Sequence, residues 1–127
     1  MGVQLHPWVS PPHDEEVNQF NSFAGNLPHA LEREKFHRLH AAIEQNFGAT
    51  PLIYRAGRYG TGPHTAEILS EHGMAIDTSV RARFDYSAAG GPNYRDHPVT
   101  PYWLDRSNGL MELPLTSVYW GILRQLG

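Results

Sequence analysis

The apolar positions of the N-terminal half follow first a strand pattern and then a helical one. Residues 3–6 alternate between apolar and polar side chains, which predicts a short strand, and several prolines then predict a loop over residues 8–27. Apolar side chains recur every three or four positions over residues 28–47, and Gly48 follows as a natural helix end. A helix is therefore predicted after the first strand.

The same alternation continues along the rest of the chain. Residues 51–55 and 74–78 predict strands, and residues 61–73 between them predict a second helix. Residues 79–108 are rich in glycine, proline and aromatic side chains and predict a loop, after which residues 110–115 predict another strand. Strands that alternate with helices indicate an α/β fold with a parallel sheet. The tail from position 118 is compatible with a strand end or with the start of a helix.

Composition and charge exclude several classes of protein. The 127 residues suit one small domain, and a net charge of −3 argues against a protein that coats nucleic acid. The chain has no cysteine, which excludes a disulfide scaffold, thiol catalysis and a cysteine zinc site. No apolar run approaches the roughly 20 residues that span a bilayer, and the first eight residues are not expected to be a signal peptide.

Side chains with chemical capacity lie at or just after the predicted strand ends. In parallel α/β folds, binding sites lie beyond the carboxyl ends of the strands, which meet at one edge. The candidates there are His6, Trp8, His13, Arg55, Arg58, Tyr59 and Asp77. Imidazoles, arginines and a carboxylate at one edge are typical of a metal-assisted hydrolase.

His6 and His13 are the leading candidates for metal ligands. Neutral imidazole binds zinc, iron, nickel or cobalt, and both histidines belong to the region that follows the first strand. Their spacing matches no recognised ligand motif. The alternative for His13 is a solvated loop residue beside the acidic residues 14–16. His29 and His64 lie near the predicted helix starts, where a surface role is expected.

The second predicted strand ends in an arginine that needs an acidic partner if it is buried. Arg55 ends an apolar segment, and its guanidinium can hold a carboxylate firmly. Asp77 is one candidate partner, and a residue outside this chain is another. The glycine-rich turn that follows lacks the spacing and the lysine of a nucleotide-binding loop. Such a turn can still direct backbone N–H groups at a developing oxyanion, and Tyr59 lies where it could contribute.

Several aromatic side chains lie in predicted loops. Trp8 and Tyr86 are examples, and Arg58 is a polar neighbour in the glycine-rich turn. Flat aromatic faces can support sugar rings, with the arginine as a substrate-binding partner. Ordinary loop packing is the alternative explanation for each of them.

Four segments resemble the polysaccharide deacetylases with a NodB-homology domain, and in particular a branch associated with exopolysaccharide and capsule synthesis. The resemblance covers about residues 2–124, and the long third segment is its most specific part. The segments are GVQLHPW followed by PP, YRAGRYG, AIDTSVRARFDYSAAGGPNY and LMELPLT.

The resemblance implies an irregular TIM-like (β/α) barrel and removal of acetyl groups from glycans. In that family a divalent metal, commonly zinc, is held by one aspartate and two histidines, and a second aspartate activates water. A distal histidine protonates the leaving amine. Arg55 and Tyr59 match the arginine-containing motif as catalytic residues, and Asp77 matches an acidic motif that supports the catalytic groups.

This chain departs from the family pattern at the metal site. Gln4 and Trp8 stand where the family usually has its two histidines, so His6 with His13 is the substitute that we predict. No segment matches the family's aspartate pair or its distal histidine motif. Residues 1–127 are therefore predicted to be the central part of one deacetylase-like domain, as a partial barrel that is inactive by itself.

Two hypotheses about function follow. The first is a metal-dependent carbohydrate deacetylase that acts on an acetylated glycan. The second is a non-catalytic glycan-binding module, which the residues at positions 4 and 8 favour. Another TIM-like metal hydrolase, such as a phosphoesterase, fits the third segment less well. A partial barrel would expose sheet edges, so self-association is also predicted.

Overall fold

The computed structural model describes residues 1–117, which contain five strands and two α-helices. In chain order the elements are β1 (Gly2–Leu5), α1 (His29–Phe47), β2 (Ile53–Ala56), α2 (Thr65–Glu71), β3 (Ile76–Asp77), β4 (Tyr102–Asp105) and β5 (Leu110–Glu112). The predicted alternation of strands and helices is thus confirmed. The predicted tail element lies outside the described residues.

The strands form one mostly parallel sheet in the order β1-β2-β3-β5-β4. The neighbouring pairs β1–β2, β2–β3 and β3–β5 run parallel. Strand β4 lies at the edge and pairs antiparallel with β5. The sequence predicted a loop where β4 lies, because the prolines at 98 and 101 precede it directly. Its pairing depends on the turn at Gly109, whose φ of 73° is a left-handed conformation that favours glycine.

The hydrophobic core lies between the sheet and the two helices. Alternate residues of β1 and β2 point to this side, including Leu5 and Tyr54, which are almost fully buried. They join Phe36 from α1 and Ile68 and Leu69 from α2 in one cluster. Burial of each large apolar side chain contributes about 1.5–3 kcal/mol. The other face of the strands is left to more polar side chains.

Helix α1 is longer than the sheet that it covers. Nineteen residues make a helix about 28 Å long, whereas a four-residue strand spans about 13 Å. Phe36 is buried in the core, but Phe47 in the last turn is 67% exposed, contrary to the helical pattern that placed it on the apolar face. Gly48 ends the helix in a left-handed conformation, as predicted.

Two features of the fold relate to the predicted barrel and its partners. Strands β1 and β4 form the two edges of the sheet within residues 1–117. Barrel closure and self-association through these edges stay predictions. Neither α1 nor α2 is long and apolar enough to cross a membrane.

Candidate functional site

A pocket of about 250 Å³ lies beyond the carboxyl ends of β1 and β2. The residues that line it are His6, Pro7, Trp8, Val9, Ser22 and Arg58. Three predicted site residues therefore come together here, namely His6, Trp8 and Arg58. They meet because β1 and β2 are parallel neighbours with Leu5 in register with Ala56, so the residues that follow both strands emerge at one edge. We call this cavity the strand-end pocket.

His6 lies directly against the backbone that follows β2. A methyl group on Gly57 would lie only 2.5 Å from Nδ1 of His6 and 2.6 Å from the carbonyl oxygen of Leu5. Only glycine leaves room for the two strand ends to approach in this way. The glycine-rich turn thus allows the close approach of the His6 ring.

Arg58 and Tyr59 follow Gly57 with an unusual backbone. Their φ angles are 54° and 56°, in the left-handed region that non-glycine residues rarely adopt. The Arg58 guanidinium lies 4.4 Å from the centre of the Phe23 ring and donates a hydrogen bond to Oγ of Ser22. Strained backbone of this kind is frequent at binding and catalytic sites, where surrounding contacts stabilise it. The strain supports the turn as a functional element.

Tyr59 and Tyr86, also predicted site residues, belong to a neighbouring aromatic cluster. Their rings stack with centres 5.9 Å apart. The Arg81 guanidinium lies 3.7 Å from the centre of the Phe84 ring and donates a hydrogen bond to the Tyr86 hydroxyl at 3.3 Å. The position of Arg81 after the third predicted strand made it a candidate polar residue, but a loop pattern does not show which rings will stack on its guanidinium. The interactions of Tyr59 and Tyr86 in this cluster agree with loop packing, and a substrate-binding role for Tyr86 stays a prediction.

Arg55 points to the side of the sheet that faces away from the helices. Its Nε donates a hydrogen bond to Oγ1 of Thr78 at 3.0 Å, and both side chains line a shallow groove with Gln4. Asp77 instead pairs in register with Tyr54, one position earlier on β2, so its side chain points to the buried face. Asp77 is thus not the partner of Arg55 that the sequence allowed.

The Asp77 side chain is buried next to Glu112, its register partner on β5. The Asp77 carboxylate accepts hydrogen bonds from the backbone N–H of Ser79 at 3.0 Å and from the Ser79 hydroxyl. The backbone N–H of Val80 donates to Oε1 of Glu112 at 2.9 Å. Burial and the facing Asp77 carboxylate raise the pKa of Glu112 to about 9, and burial also raises the pKa of Asp77. The pair therefore retains a proton at neutral pH and holds the backbone just beyond β3.

Replacing Glu112 with glutamine is expected to stabilise the protein at alkaline pH. In the folded protein the pKa of Glu112 lies above its usual value of 4.5. The stability that its bound proton contributes is therefore fully present below pH 4.5 and is lost as the pH rises towards 9. Glutamine keeps a hydrogen-bond donor for Asp77 without an ionisation. We expect the substitution to raise the free energy of unfolding by about 2 kcal/mol at pH 8. This is only part of the energy that corresponds to the full pKa shift, at about 1.4 kcal/mol per pKa unit.

Urea unfolding followed by tryptophan fluorescence between pH 5 and pH 9 measures this gain. The control is Glu34→Gln, because Glu34 pairs with Arg38 on the helix surface and the arginine lowers its pKa. This control should show little change and no increase with pH. An equal pH dependence in the wild type and in Glu112→Gln would contradict the shared proton.

The loop that lines the strand-end pocket is held by a buried lysine that the sequence did not reveal. Nζ of Lys35 lies 3.0 Å from a carboxylate oxygen of Glu15, and the two side chains are 0% and 4% exposed. The same ammonium donates hydrogen bonds to the carbonyl oxygens of Pro7, Ser10 and Pro12 at 3.1, 2.5 and 2.5 Å. A polar residue on α1 thus fixes the loop that presents Trp8.

The structure places the two predicted metal ligands in different surroundings. His6 lines the strand-end pocket, whereas His13 is exposed on the loop. Within residues 1–117, one group of three histidine or acidic side chains has all its ligand atoms within 4.8 Å of one another. That group is His29, His64 and Glu67. The metal role of His6 and His13 stays a prediction.

Comparison with known proteins supports the observed α/β fold. No protein-family model and no curated protein matches the sequence. The chain is similar to a crystal structure of a putative polysaccharide deacetylase from Mycobacterium smegmatis, with 29% sequence identity and a TM-score of 0.50. The similarity covers 70% of this chain and 26% of that chain, so this chain spans about a quarter of the length of the protein that it matches. This likeness supports the α/β fold described above.

Proposed function

We propose that this chain forms the substrate-binding part of a carbohydrate deacetylase that acts on an acetylated glycan. The observation that supports this most directly is the strand-end pocket, which lies where parallel α/β folds bind ligands, in a fold similar to a polysaccharide deacetylase. The pocket combines an apolar lining with an imidazole and a guanidinium, as small-ligand sites commonly do.

Each lining side chain has a role in the proposed complex. Trp8 is 47% exposed, so its indole ring offers a flat apolar face to a sugar. Arg58 donates hydrogen bonds to sugar hydroxyls or to the acetyl carbonyl, since a guanidinium has several donors. Its position is set by Phe23 and Ser22. In this proposal the groove at Arg55 continues the binding surface, and Tyr59 and Asp77 orient the turn and the strand end.

The lining of the strand-end pocket lacks part of the set of groups that a metal-dependent deacetylase uses for hydrolysis. A catalytic zinc site usually has three protein ligands and an open position, whereas the residues that line the pocket include one imidazole and no carboxylate. His6 and His13 together would provide two ligands, so we derive no step through a metal here. We propose that this chain by itself binds the glycan without turning it over.

A non-catalytic glycan-binding module is the second candidate function. The absence of a carboxylate from the pocket lining favours it, because a hydrolase needs a base near the bound acetyl group. Zinc distinguishes the two candidates. Glycan binding that strengthens with zinc and loses this dependence in His6→Ala supports the hydrolase, whereas binding unaffected by zinc supports the module.

Glycan binding provides the first test of the proposed function. The wild type is expected to bind N-acetylated chitooligosaccharide more tightly than its deacetylated form, measured by calorimetry. Trp8→Ala should weaken binding by about tenfold, equivalent to about 1.4 kcal/mol, because the stacking face is lost. Trp103→Ala is the matched control, since Trp103 is 44% exposed but lies on β4 outside the pocket.

Equal affinity of the wild type and Trp8→Ala, or a loss confined to Trp103→Ala, would refute the pocket assignment. Acetate release from the same oligosaccharide is measured in parallel with added zinc. We expect no release above a zinc-only blank, for want of a base in the pocket. Clear zinc-dependent turnover would show that the chain contains a complete hydrolytic site.

A further inference from the structure

Three side chains with metal-binding groups converge between the two helices, away from the strand-end pocket. His29 is the first residue of α1, His64 directly precedes α2, and Glu67 lies in the first turn of α2. The imidazole rings stack with centres 4.2 Å apart and an angle of 11° between their planes. Nε2 of His29 lies 4.0 Å from a carboxylate oxygen of Glu67. We propose that these residues bind a zinc-like divalent transition-metal ion that bridges α1 and α2.

The donor set and its spacing fit such an ion. Two imidazoles and one carboxylate are ligands that zinc accepts, and this combination favours zinc, nickel, cobalt or copper over magnesium. The three ligand atoms lie within 4.8 Å of one another. A tetrahedral ion with bonds of about 2.0–2.1 Å separates its ligands by about 3.4 Å. Side-chain rotations that bring the atoms closer by about 1 Å therefore complete the site.

One ring nitrogen of this cluster has no hydrogen-bond partner among the described residues. It is Nε2 of His29, which is shielded from solvent. Buried polar atoms normally have a partner, so an unpaired one needs an explanation. The positive ends of the helix dipoles oppose a cation at this place. The negative charge of Glu67 offsets that repulsion, and the metal accepts the free lone pair of the His29 ring.

The backbone beneath the cluster is held in place, which reduces the conformational entropy lost on binding. Oγ1 of Thr65 donates a hydrogen bond at 2.6 Å to Glu32, which is buried on α1. The same hydroxyl accepts a hydrogen bond from the backbone N–H of Gly62 at 2.9 Å. The first turns of α1 and α2 are thus joined next to the cluster. A bound ion would add a second link between them.

Zinc titration of the 127-residue protein by calorimetry tests the site. The wild type should bind one equivalent, with no comparable heat from magnesium, and the ion should raise the melting temperature because it binds the folded state. His64→Ala, His29→Ala and Glu67→Gln should each weaken zinc binding by at least about tenfold. Circular dichroism shows whether each variant is folded. If an alanine variant is unfolded, Glu67→Gln still tests the site, because glutamine has nearly the shape of glutamate.

One further variant separates this site from the other histidines. His37→Ala is the matched control, because His37 is exposed on α1 and pairs with His72 through ring nitrogens 3.1 Å apart. It should keep the wild-type zinc affinity. Zinc binding that survives in His64→Ala and Glu67→Gln, or that is lost instead in His37→Ala, would overturn the proposal. The glycan measurements are independent of this result, so the two proposals can fail separately.

Discussion

Replacing Lys35 with methionine is expected to lower the free energy of unfolding by about 3–5 kcal/mol, the range for removing one partner of a buried ion pair. Methionine is close to lysine in length and fills the space of its aliphatic chain. The change therefore tests the ammonium group rather than the packing. Glu15 is 4% exposed at its side chain and would keep a buried charge without its partner.

The loss should extend to the loop that lines the strand-end pocket. Three carbonyl oxygens, those of Pro7, Ser10 and Pro12, accept hydrogen bonds from the same ammonium. Buried carbonyls left without a donor cost about 1–3 kcal/mol each unless water reaches them. We expect the loop to rearrange so that they are hydrated, and glycan binding through Trp8 to weaken with it.

Urea unfolding of the wild type, Lys35→Met and Arg38→Met measures the effect. Arg38 is the control because its ion pair with Glu34 lies on the surface of the same helix, with the arginine side chain 52% exposed. An exposed pair of this kind contributes little to stability. The double variant Lys35→Met, Glu15→Gln should recover part of the loss, because no buried charge then remains unpaired. A loss below about 1 kcal/mol for Lys35→Met would contradict the anchoring role.

The second large effect is expected from Gly25→Ala, which should destabilise the protein by about 3 kcal/mol or more, at the upper end of overpacking. A methyl group on Gly25 would lie 2.1 Å from the backbone nitrogen of Gly62 and 2.2 Å from the carbonyl carbon of Thr61. These are backbone atoms, which cannot turn aside as a flexible side chain can. The N–H of Gly25 also donates to the carbonyl of Gly60 at 2.8 Å. The substitution must therefore separate two loops.

The first of these loops bears on the strand-end pocket because its Ser22 lines the pocket. Ser22 and Phe23 belong to the first loop and contact Arg58, which precedes the second. Gly25→Ala should therefore weaken glycan binding as well as folding.

Gly48→Ala is the control for this prediction. Gly48 has open space around it and a φ of 65°, so its replacement costs only the left-handed conformation, about 1–2 kcal/mol. Thermal and urea unfolding of both variants, with calorimetry for the glycan, provides the comparison. Equal destabilisation by the two substitutions would show that the loops do not meet as closely as described.

The elements that the sequence predicts well are those with a local signal. The helix over α1 follows from apolar spacing and from Gly48, and the parallel strands follow from their alternation with helices. Strand β4 was missed because its pairing partner lies beyond a turn and its prolines resemble those of a loop. Antiparallel pairing at a sheet edge is a tertiary property, since propensity alone does not decide it.

The candidate site divides in the same way. His6, Trp8 and Arg58 were predictable because parallel strands bring the residues after their carboxyl ends to one edge. The Lys35–Glu15 anchor was not predictable, because a lysine in a helical pattern is normally a solvated residue. His29 and His64 are 35 positions apart, and no spacing rule indicates that their rings stack.

The sequence by itself determined the α/β alternation, the side chains at the strand ends and the absence of cysteine chemistry. These depend on local periodicity and on residue type, both of which can be read along the chain. The tertiary structure alone decided that Asp77 faces Glu112 rather than Arg55, that Lys35 holds the pocket loop, and that His29, His64 and Glu67 converge. Each of these depends on which face of a strand or helix meets a distant segment, and a shift of one residue in register would change it.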